Sequence, residues 1–594
     1  MHRKREGRTA LPAIDVAQRL WESLDTPVSL SCYLLSKYKE FGQLVSKKIS
    51  PSDYRTADEF FLDYQSVKFF SKYPYLDTKI NTKRAAISKF LEAEIQCSLT
   101  NDRIRGWKLG LEEFQPPSDV DKVLYFAQRK IASILGEVPK FEDLNFKFGP
   151  GACFSVGGDT SAFRKMSSPL ECASAFTSTL QDFLEEFPGW IPEGTHDVSV
   201  VPGSKLHFVP KDAKTQRSIC IEPLLNGLYQ KGVGSHISNR LRRFGVNLRD
   251  QSINQKLAER ALRQQLCTVD FASASDTISY MLVLELLPID WFEFLDVARC
   301  PSYTTEGNWY DFHKFTSMGN AYTFELESTI FYALAVSCCE YLGILYETGS
   351  DLSVYGDDVI IPKAAFDLFL KVCQFCGFTI NTEKSFSEGV FYESCGTDWF
   401  LGLNVRPILL KKKVSSFYET YYVANSVLEI ASRYMALCGD GDRSSDRLRR
   451  LGDLHAYCIS RIPKSRRYCV PLGSGDIGLH CDFDVAVPSR HPEFPEWDGY
   501  LFKGIQARAA IVSHKEWPMW YCLYIAYTSG SNNDSYHMPD GLPEILHSDG
   551  YSLRSDTSLK KSNFFWNGEW PTLPIKWNSR AVSLVANEAE HSAK

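Results

Sequence analysis

The stretch Leu352-Ser353-Val354-Tyr355-Gly356-Asp357-Asp358-Val359-Ile360-Ile361 constrains this chain more than any other. Two apolar runs are separated only by Gly356-Asp357, a Gly-first pair of the kind that closes a tight β-hairpin. The pattern predicts short strands over 352–355 and 358–361, with the carboxylates of Asp357 and Asp358 side by side at an exposed tip. Like charges so close repel one another, and the arrangement becomes reasonable when cations sit among them. Hard oxygen ligands with open positions suit Mg2+, which keeps waters and takes substrate phosphates as its other ligands. Turns are rich in Asp for ordinary reasons, so the pair draws its meaning from its neighbours.

Those neighbours supply a third acid. Leu266-Cys267-Thr268-Val269 reads as a buried strand that delivers Asp270 at its end, followed by Phe271 to Asp276 and a helical run from Ile278 to Leu287. Asp270, Asp357 and Asp358 could hold two Mg2+ about 4 Å apart, one activating an attacking hydroxyl and the other holding a leaving phosphate group. Thr316-Ser317-Met318-Gly319-Asn320 opens a long helix from about Tyr322 to Cys339. Gly319 permits close backbone approach, and Ser317 and Asn320 offer short hydrogen-bonding groups, although a plain helix cap has the same look. Upstream, Lys205, Lys211, Lys214 and Arg217 are spaced through a basic loop that returns into the strand Ser218–Ile221. Such a loop could clamp a triphosphate, since Arg engages phosphate bidentately, or could be a solvated charged loop.

At 594 residues the chain is too long for one core, so several packed subdomains are expected. The pattern is mostly helical up to about residue 200. From Val201 to about Pro407 short strand-like runs alternate with apolar helices, the texture of an α+β layer. Beyond Pro407 come basic clusters (Lys411 to Lys413; Arg443, Arg447, Arg449 and Arg450; Lys464, Arg466 and Arg467) and then a Trp- and Tyr-rich stretch. A formal net charge of −6 excludes a general polyanion coat and confines any nucleic-acid channel to a local basic lining. The 17 cysteines are scattered and odd in number, which argues for reduced thiols over a disulfide scaffold. Cys373 and Cys376 share a helical face with Phe366, Phe369 and Leu370 and read as core, not as zinc ligands. No apolar run reaches the roughly 20 residues of a membrane span; Ile330 to Tyr346 carries Glu340. The basic start Met1-His2-Arg3-Lys4-Arg5 has no apolar stretch behind it and reads as a solvated tail.

Taken in order, these features resemble the motifs of viral RNA polymerases. The Lys211, Lys214 and Arg217 loop is similar to motif F, Asp270 to Asp276 to motif A, and Ser317 to Asn320 with its helix to motif B. Tyr355-Gly356-Asp357-Asp358 resembles motif C in the form typical of positive-strand RNA viruses, and Gly377-Phe378-Thr379 to Lys384 resembles motif D. Longer strings look like the replicase β-subunits of Qβ-type RNA bacteriophages (leviviruses). These are Asp250-Gln251-Ser252-Ile253-Asn254-Gln255, Ser317 to Asn320 running into Tyr322 to Ser328, and Phe386-Ser387-Glu388-Gly389 with Glu393-Ser394-Cys395-Gly396. The resemblance covers roughly residues 95 to 407. Asp270 and Asp276 are separated by five residues where many animal-virus polymerases have four, and Asn320 follows Gly319 directly; both features look like the phage group.

The resemblance implies an α+β right-hand polymerase with a palm of antiparallel sheet backed by helices. Residues 1–200 would form the N-terminal region and fingers, 201–262 fingers with the triphosphate loop, 263–407 the palm, and 408–594 the thumb and C-terminal region. The implied activity is RNA-directed RNA synthesis, replicating a positive-strand phage genome by nucleotidyl transfer from ribonucleoside triphosphates to an RNA 3′ end. In that frame Asp270, Asp357 and Asp358 hold two Mg2+, for which Mn2+ can substitute. Lys205, Lys211, Lys214, Arg217, Ser317 and Gly319 contact the nucleotide, Asp276 and Asn320 form one hydrogen-bonded unit on its ribose, and Lys384 donates a proton to the departing pyrophosphate. The family also implies an RNA template and product, host elongation factors Tu and Ts, a ribosomal small-subunit protein, no membrane, and action in the cytoplasm of an infected bacterium. A nucleotide cyclase could use paired acids on a similar palm but would not need the fingers motifs. A non-enzymatic RNA-binding regulator would have no use for three converging acids.

Overall fold

Leu266–Val269 is buried along its whole length, so both of its faces need cover. It pairs antiparallel with Asp358–Pro362, which pairs antiparallel with Ser353–Tyr355, giving a three-stranded sheet in that order. Side chains alternate between the two faces as a strand requires. Cys267 and Val269, with Val359 and Ile361, join the large core that contains the helices Thr323–Leu342 and Lys363–Phe375. Leu266 and Ile360 point the other way, onto Leu257, Ala258 and Ala261 of the helix Ser252–Gln264. The α+β layering expected from the alternation of patterns is the one observed.

These relations come from a computed structural model that describes residues 11–158, 160–187, 190, 197–438, 445–486, 500–507 and 559–566. The basic amino terminus, Arg443, most of the 188–194 loop and most of the aromatic-rich C-terminal stretch lie outside the described residues.

The helix Thr323–Leu342 is the pillar behind the sheet. Every residue from Glu325 to Cys339 is buried, so this apolar run is a core helix on all sides and ends at Gly343, in the left-handed region at φ 67°. Among the described residues no helix is long and apolar enough to cross a membrane. Cys373 and Cys376 are buried in the same core, and both are free thiols.

At the hairpin, Tyr355 pairs with Asp358, which leaves Gly356-Asp357 as a two-residue turn. Gly356 has φ 63°, and a Cβ there would lie 2.5 Å from the Phe324 ring. The turn therefore needs glycine for its backbone and for its neighbour. The basic segment departs from the loop expected for it. Ser204–Pro210 and Gln216–Ile221 form a hairpin, so Lys205 and Arg217 stand on strands and only residues 211–215 turn. Asp212 Oδ1 closes that turn by accepting from the amides of Lys214 and Thr215. The hairpin belongs to a four-stranded sheet with Ser302–Thr305 and Asn308–Asp311.

A second core joins the N-terminal helices to the chain beyond residue 390. Trp21, Phe60 and Phe61 from the helices Ala13–Leu24 and Ala57–Lys68 pack with Phe391, Phe400, Tyr421 and Leu451. Its polar clasp is Asp398, fully buried, which accepts from Tyr64 Oη at 2.9 Å and from Arg406 Nη1 at 2.6 Å. Removing one partner of a buried ion pair strands the other. Asp398→Ala is therefore expected to lower the urea-denaturation free energy by about 3 kcal/mol, while Tyr64→Phe should cost about 1 kcal/mol. Equal, small losses in both would show that the clasp is not the anchor of this core.

Candidate active site

Asp270 leaves the end of its strand and is met by a strap, residues 379–386, that runs beside the same strand. Thr268 and Phe386 exchange two backbone hydrogen bonds, and Ala272 N–H donates to the Thr379 carbonyl. The strap brings Asn381 Nδ2 to 2.7 Å from Asp270 Oδ1 and Lys384 Nζ to 3.1 Å from Oδ2. Ser385 Oγ accepts from the Asp270 amide at 3.0 Å. Both oxygens of the acid are thus engaged. Burial works against the Lys384 ammonium, but Glu393, Asp270 and Asp358 outweigh it and hold its pKa above the usual lysine value.

The hairpin carboxylates are not at an exposed tip, as the sequence pattern suggested. Both are half-buried, and the Ser394-Cys395 turn lies against Asp358. Asp358 is held by Ser394 Oγ at 3.4 Å, and its carbonyl accepts from Asn254 Nδ2 at 3.0 Å. Lost water raises the pKa of Asp357 to about 6, with Asp358 and then Asp270 adding to the rise. Burial also raises Asp358, against the opposing pull of a backbone hydrogen bond from Cys395. Among the described residues no three His, Cys, Asp or Glu side chains stand ready to hold a metal ion.

Cations gather opposite these acids. The Lys211 pKa is lowered by partial desolvation and then by the charges of Lys89, Arg217 and Lys384. Lys72 is lowered in the same way, by desolvation and then by Arg406, Lys384 and Lys411. Glu383 pairs with Lys48 and also feels Lys214 and Lys68. The structure therefore brings Lys211, Lys214, Arg217 and Lys384 into one basic neighbourhood. Lys205 stands at the opposite end of its strand, exposed, in register with Ile221 and Thr304. Lys48, Lys68, Lys72 and Lys89 were missed because they come from the N-terminal helical region, where no motif marks them.

The segment before the central helix is clamped to the basic hairpin. Cys220 N–H donates to the Met318 carbonyl at 2.8 Å, and Gly319, at φ 119°, lies so close that a Cβ would fall 2.1 Å from the Cys220 carbonyl oxygen. Ser317 is buried beside the Cys220 thiol. The expected Asp276–Asn320 unit does not form. Asp276 Oδ1 accepts from Lys314 Nζ at 2.9 Å, whereas Asn320 Oδ1 accepts from the Tyr322 amide at 3.3 Å, just ahead of the helix. Glu327, buried in that helix, was also missed: it accepts from Ser275 Oγ at 3.1 Å, and its pKa is raised by burial and then by Asp357. Its only sequence signal was its position, two helical turns beyond Asn320.

Residues 14–432 match the family model described as RNA replicase, beta-chain. The chain belongs to that family. It is 35% identical over 477 residues to the RNA-directed RNA polymerase subunit beta of Escherichia virus Qbeta, covering 80% of this chain and 77% of that one. The corresponding subunit of Enterobacteria phage SP is 36% identical over 444 residues, 72% and 73% of the two chains. The beta chain of Escherichia phage MS2 is 37% identical over 232 residues, 39% and 42% of the two. The RNA-dependent RNA polymerase of a human picorbirnavirus, in an insertion-loop deletion mutant, overlaps 61% of this chain and 86% of its own at 11% identity and a TM-score of 0.31. The protein is an RNA-directed RNA polymerase of a phage replicase, acting on an RNA template with ribonucleoside triphosphates.

For the polymerase without metal, the raised pKa of Asp357 has a definite sign. The folded pKa of about 6 lies above the ordinary 3.8, so the group favours folding fully below pH ~3.8 and loses that contribution as pH rises through 6. Asp357→Asn should then be more stable than wild type in chelator at pH 8, by up to about 3 kcal/mol, with the gain vanishing toward pH 4. A stability difference independent of pH would contradict this electrostatic account.

Proposed function

We propose that this polymerase replicates a positive-strand RNA phage genome by two-metal nucleotidyl transfer centred on Asp270, Asp357 and Asp358. The observation that carries the reading is the convergence of three carboxylates, with lost water raising the pKa of Asp357 and Asp358 and the charge of Asp270 adding to both rises, opposite a cluster of cations. The donor set fits Mg2+, with Mn2+ as substitute: hard oxygens, half-buried, and in charge excess. Bound among the three acids, such ions lower the pKa of the RNA 3′-hydroxyl and stabilise the leaving pyrophosphate. Asp270 must exchange its Lys384 partner to join that set. Lys384 is then free beside the triphosphate, where it can donate a proton to the departing pyrophosphate. Lys211, Lys214, Arg217 and their neighbours steady the triphosphate and orient its α-phosphate for attack.

The test is ribonucleotide incorporation on an RNA template with saturating Mg2+. Asp357→Asn should lower turnover on the order of a thousandfold, the scale of losing a transition-state stabiliser, while RNA binding persists. In the same assay Lys384→Leu should slow the single-turnover step roughly a hundredfold with little change in nucleotide affinity. Near-normal turnover in Asp357→Asn would sink the metal assignment, and unchanged single-turnover rates across pH would sink the role of Lys384.

Kinship to Qβ-type subunits supports a further proposal: that the subunit works in the cytoplasm of an infected bacterium with elongation factors Tu and Ts and a ribosomal small-subunit protein. Co-expression with the two elongation factors should restore solubility and activity that the isolated subunit lacks. A monodisperse, fully active subunit purified without them would refute it.

A further inference from the structure

Choice of ribose over deoxyribose needs a polar group that is paired when the 2′-hydroxyl is present and unpaired when it is absent. Asp276 and Asn320 were the residues placed for that task by sequence, and both have another partner. Lys314 is 1% exposed, with its ammonium over the Phe90 ring at 3.7 Å, and it relies on Asp276 at 2.9 Å and Glu94 at 3.2 Å for charge balance. An ammonium that deep cannot release its counter-ions, so Asp276 is a structural anion. Asn320 accepts from the Tyr322 amide and, at 3.5 Å, from Thr323 Oγ1.

One residue before Asp276 the geometry changes. Ser275 lies on the turn between Asp270 and Asp276, and it keeps partial exposure. Beneath it Glu327 is 2% exposed, and Ser275 Oγ donates to the two Glu327 oxygens at 3.3 and 3.1 Å. Among the described residues no cation pairs with Glu327. The charges of Asp357, Asp276 and Asp358 all act on it, which places it against the hairpin acids. A buried carboxyl group beside three other acids, without a cation, has no evident stabilising purpose, and it fixes the rotor of one serine.

We propose that Ser275 reads the 2′-hydroxyl of the incoming ribonucleotide and that Glu327 is the positioning residue that orients it. With its own proton directed at Glu327, Ser275 Oγ turns its lone pairs to the cleft, where a 2′-hydroxyl can donate to them. A deoxynucleotide seated over the serine covers those lone pairs and leaves them unpaired. The inference rests on the catalytic centre proposed at Asp270, Asp357 and Asp358.

The experiment measures kcat/KM for one ribonucleotide and its deoxy analogue on one RNA template. Ser275→Ala should lower the ribo-to-deoxy ratio about ten- to hundredfold by reducing ribonucleotide use, with deoxynucleotide use nearly unchanged. Ser275→Thr, which keeps the hydroxyl, should retain most of the ratio. Glu327→Ala should match Ser275→Ala, the double variant should lose no more than either, and Glu327→Gln, which keeps an acceptor, should largely restore discrimination. If Glu327→Ala does not fold, Ser275→Ala and Ser275→Thr decide alone. A ratio that stays put in Ser275→Ala overturns the proposal, whether both rates persist or fall together. Failure of the centre itself would show separately, as normal turnover in Asp357→Asn.

Discussion

Four carboxyl groups, those of Asp270, Asp357, Asp358 and Glu327, are crowded together with much of their water removed, and the surrounding structure is arranged to make this tolerable. At an effective dielectric of about 20, two like charges 4 Å apart repel by roughly 4 kcal/mol. Such a cluster cannot persist unless protons, cations or hydrogen bonds absorb the excess. Each acid has its own remedy. Asp270 is engaged by Lys384 and Asn381. Asp358 takes a hydroxyl from Ser394, Glu327 takes one from Ser275, and the pKa of Asp357 rises. A site kept short of positive charge in this way is suited to take up cations when substrate arrives.

Rigidity comes from backbone and not from the charged groups. The strap is sewn to the strand of Asp270 by paired amide bonds, the hairpin turn depends on glycine against Phe324, and Gly319 sits against the Cys220 carbonyl. These contacts join the basic hairpin, the central helix and the acid-bearing sheet at points where a single added methyl group has no room. The charged side chains can then exchange partners while the elements that carry them hold still.

How much of this could be read in the sequence depended on how local the information was. The strand Leu266–Val269, the turn at Gly356-Asp357 and the helix beyond Asn320 are written in short patterns of burial and turn chemistry, and the structure has them within two or three residues of the expected bounds. What escaped was pairwise. Nothing in the spacing of Asp276 says that Lys314 will need it, and nothing in an apolar helix says that Glu327 will face a serine 52 positions earlier. The exposed hairpin tip was misread for the same reason, since the Ser394-Cys395 turn that lies against Asp358 comes from 36 positions along the chain. Lys48, Lys68, Lys72 and Lys89 join the cationic wall from the N-terminal region, Lys68 and Lys89 on helices and Lys48 and Lys72 in the connections that follow helices.

The second core has a consequence for how the molecule comes into being. Tyr64 and its clasp Asp398 are 334 positions apart, and the early aromatic residues Trp21, Phe60 and Phe61 share their packing with the chain around 391–451. At typical synthesis rates the ribosome needs on the order of half a minute to deliver the later partner. Through that interval the N-terminal helices wait with an uncovered apolar face, available to any other greasy surface in the cell. Assembly of this architecture is thus governed by timing, and its most hazardous moment falls while the chain is still being made.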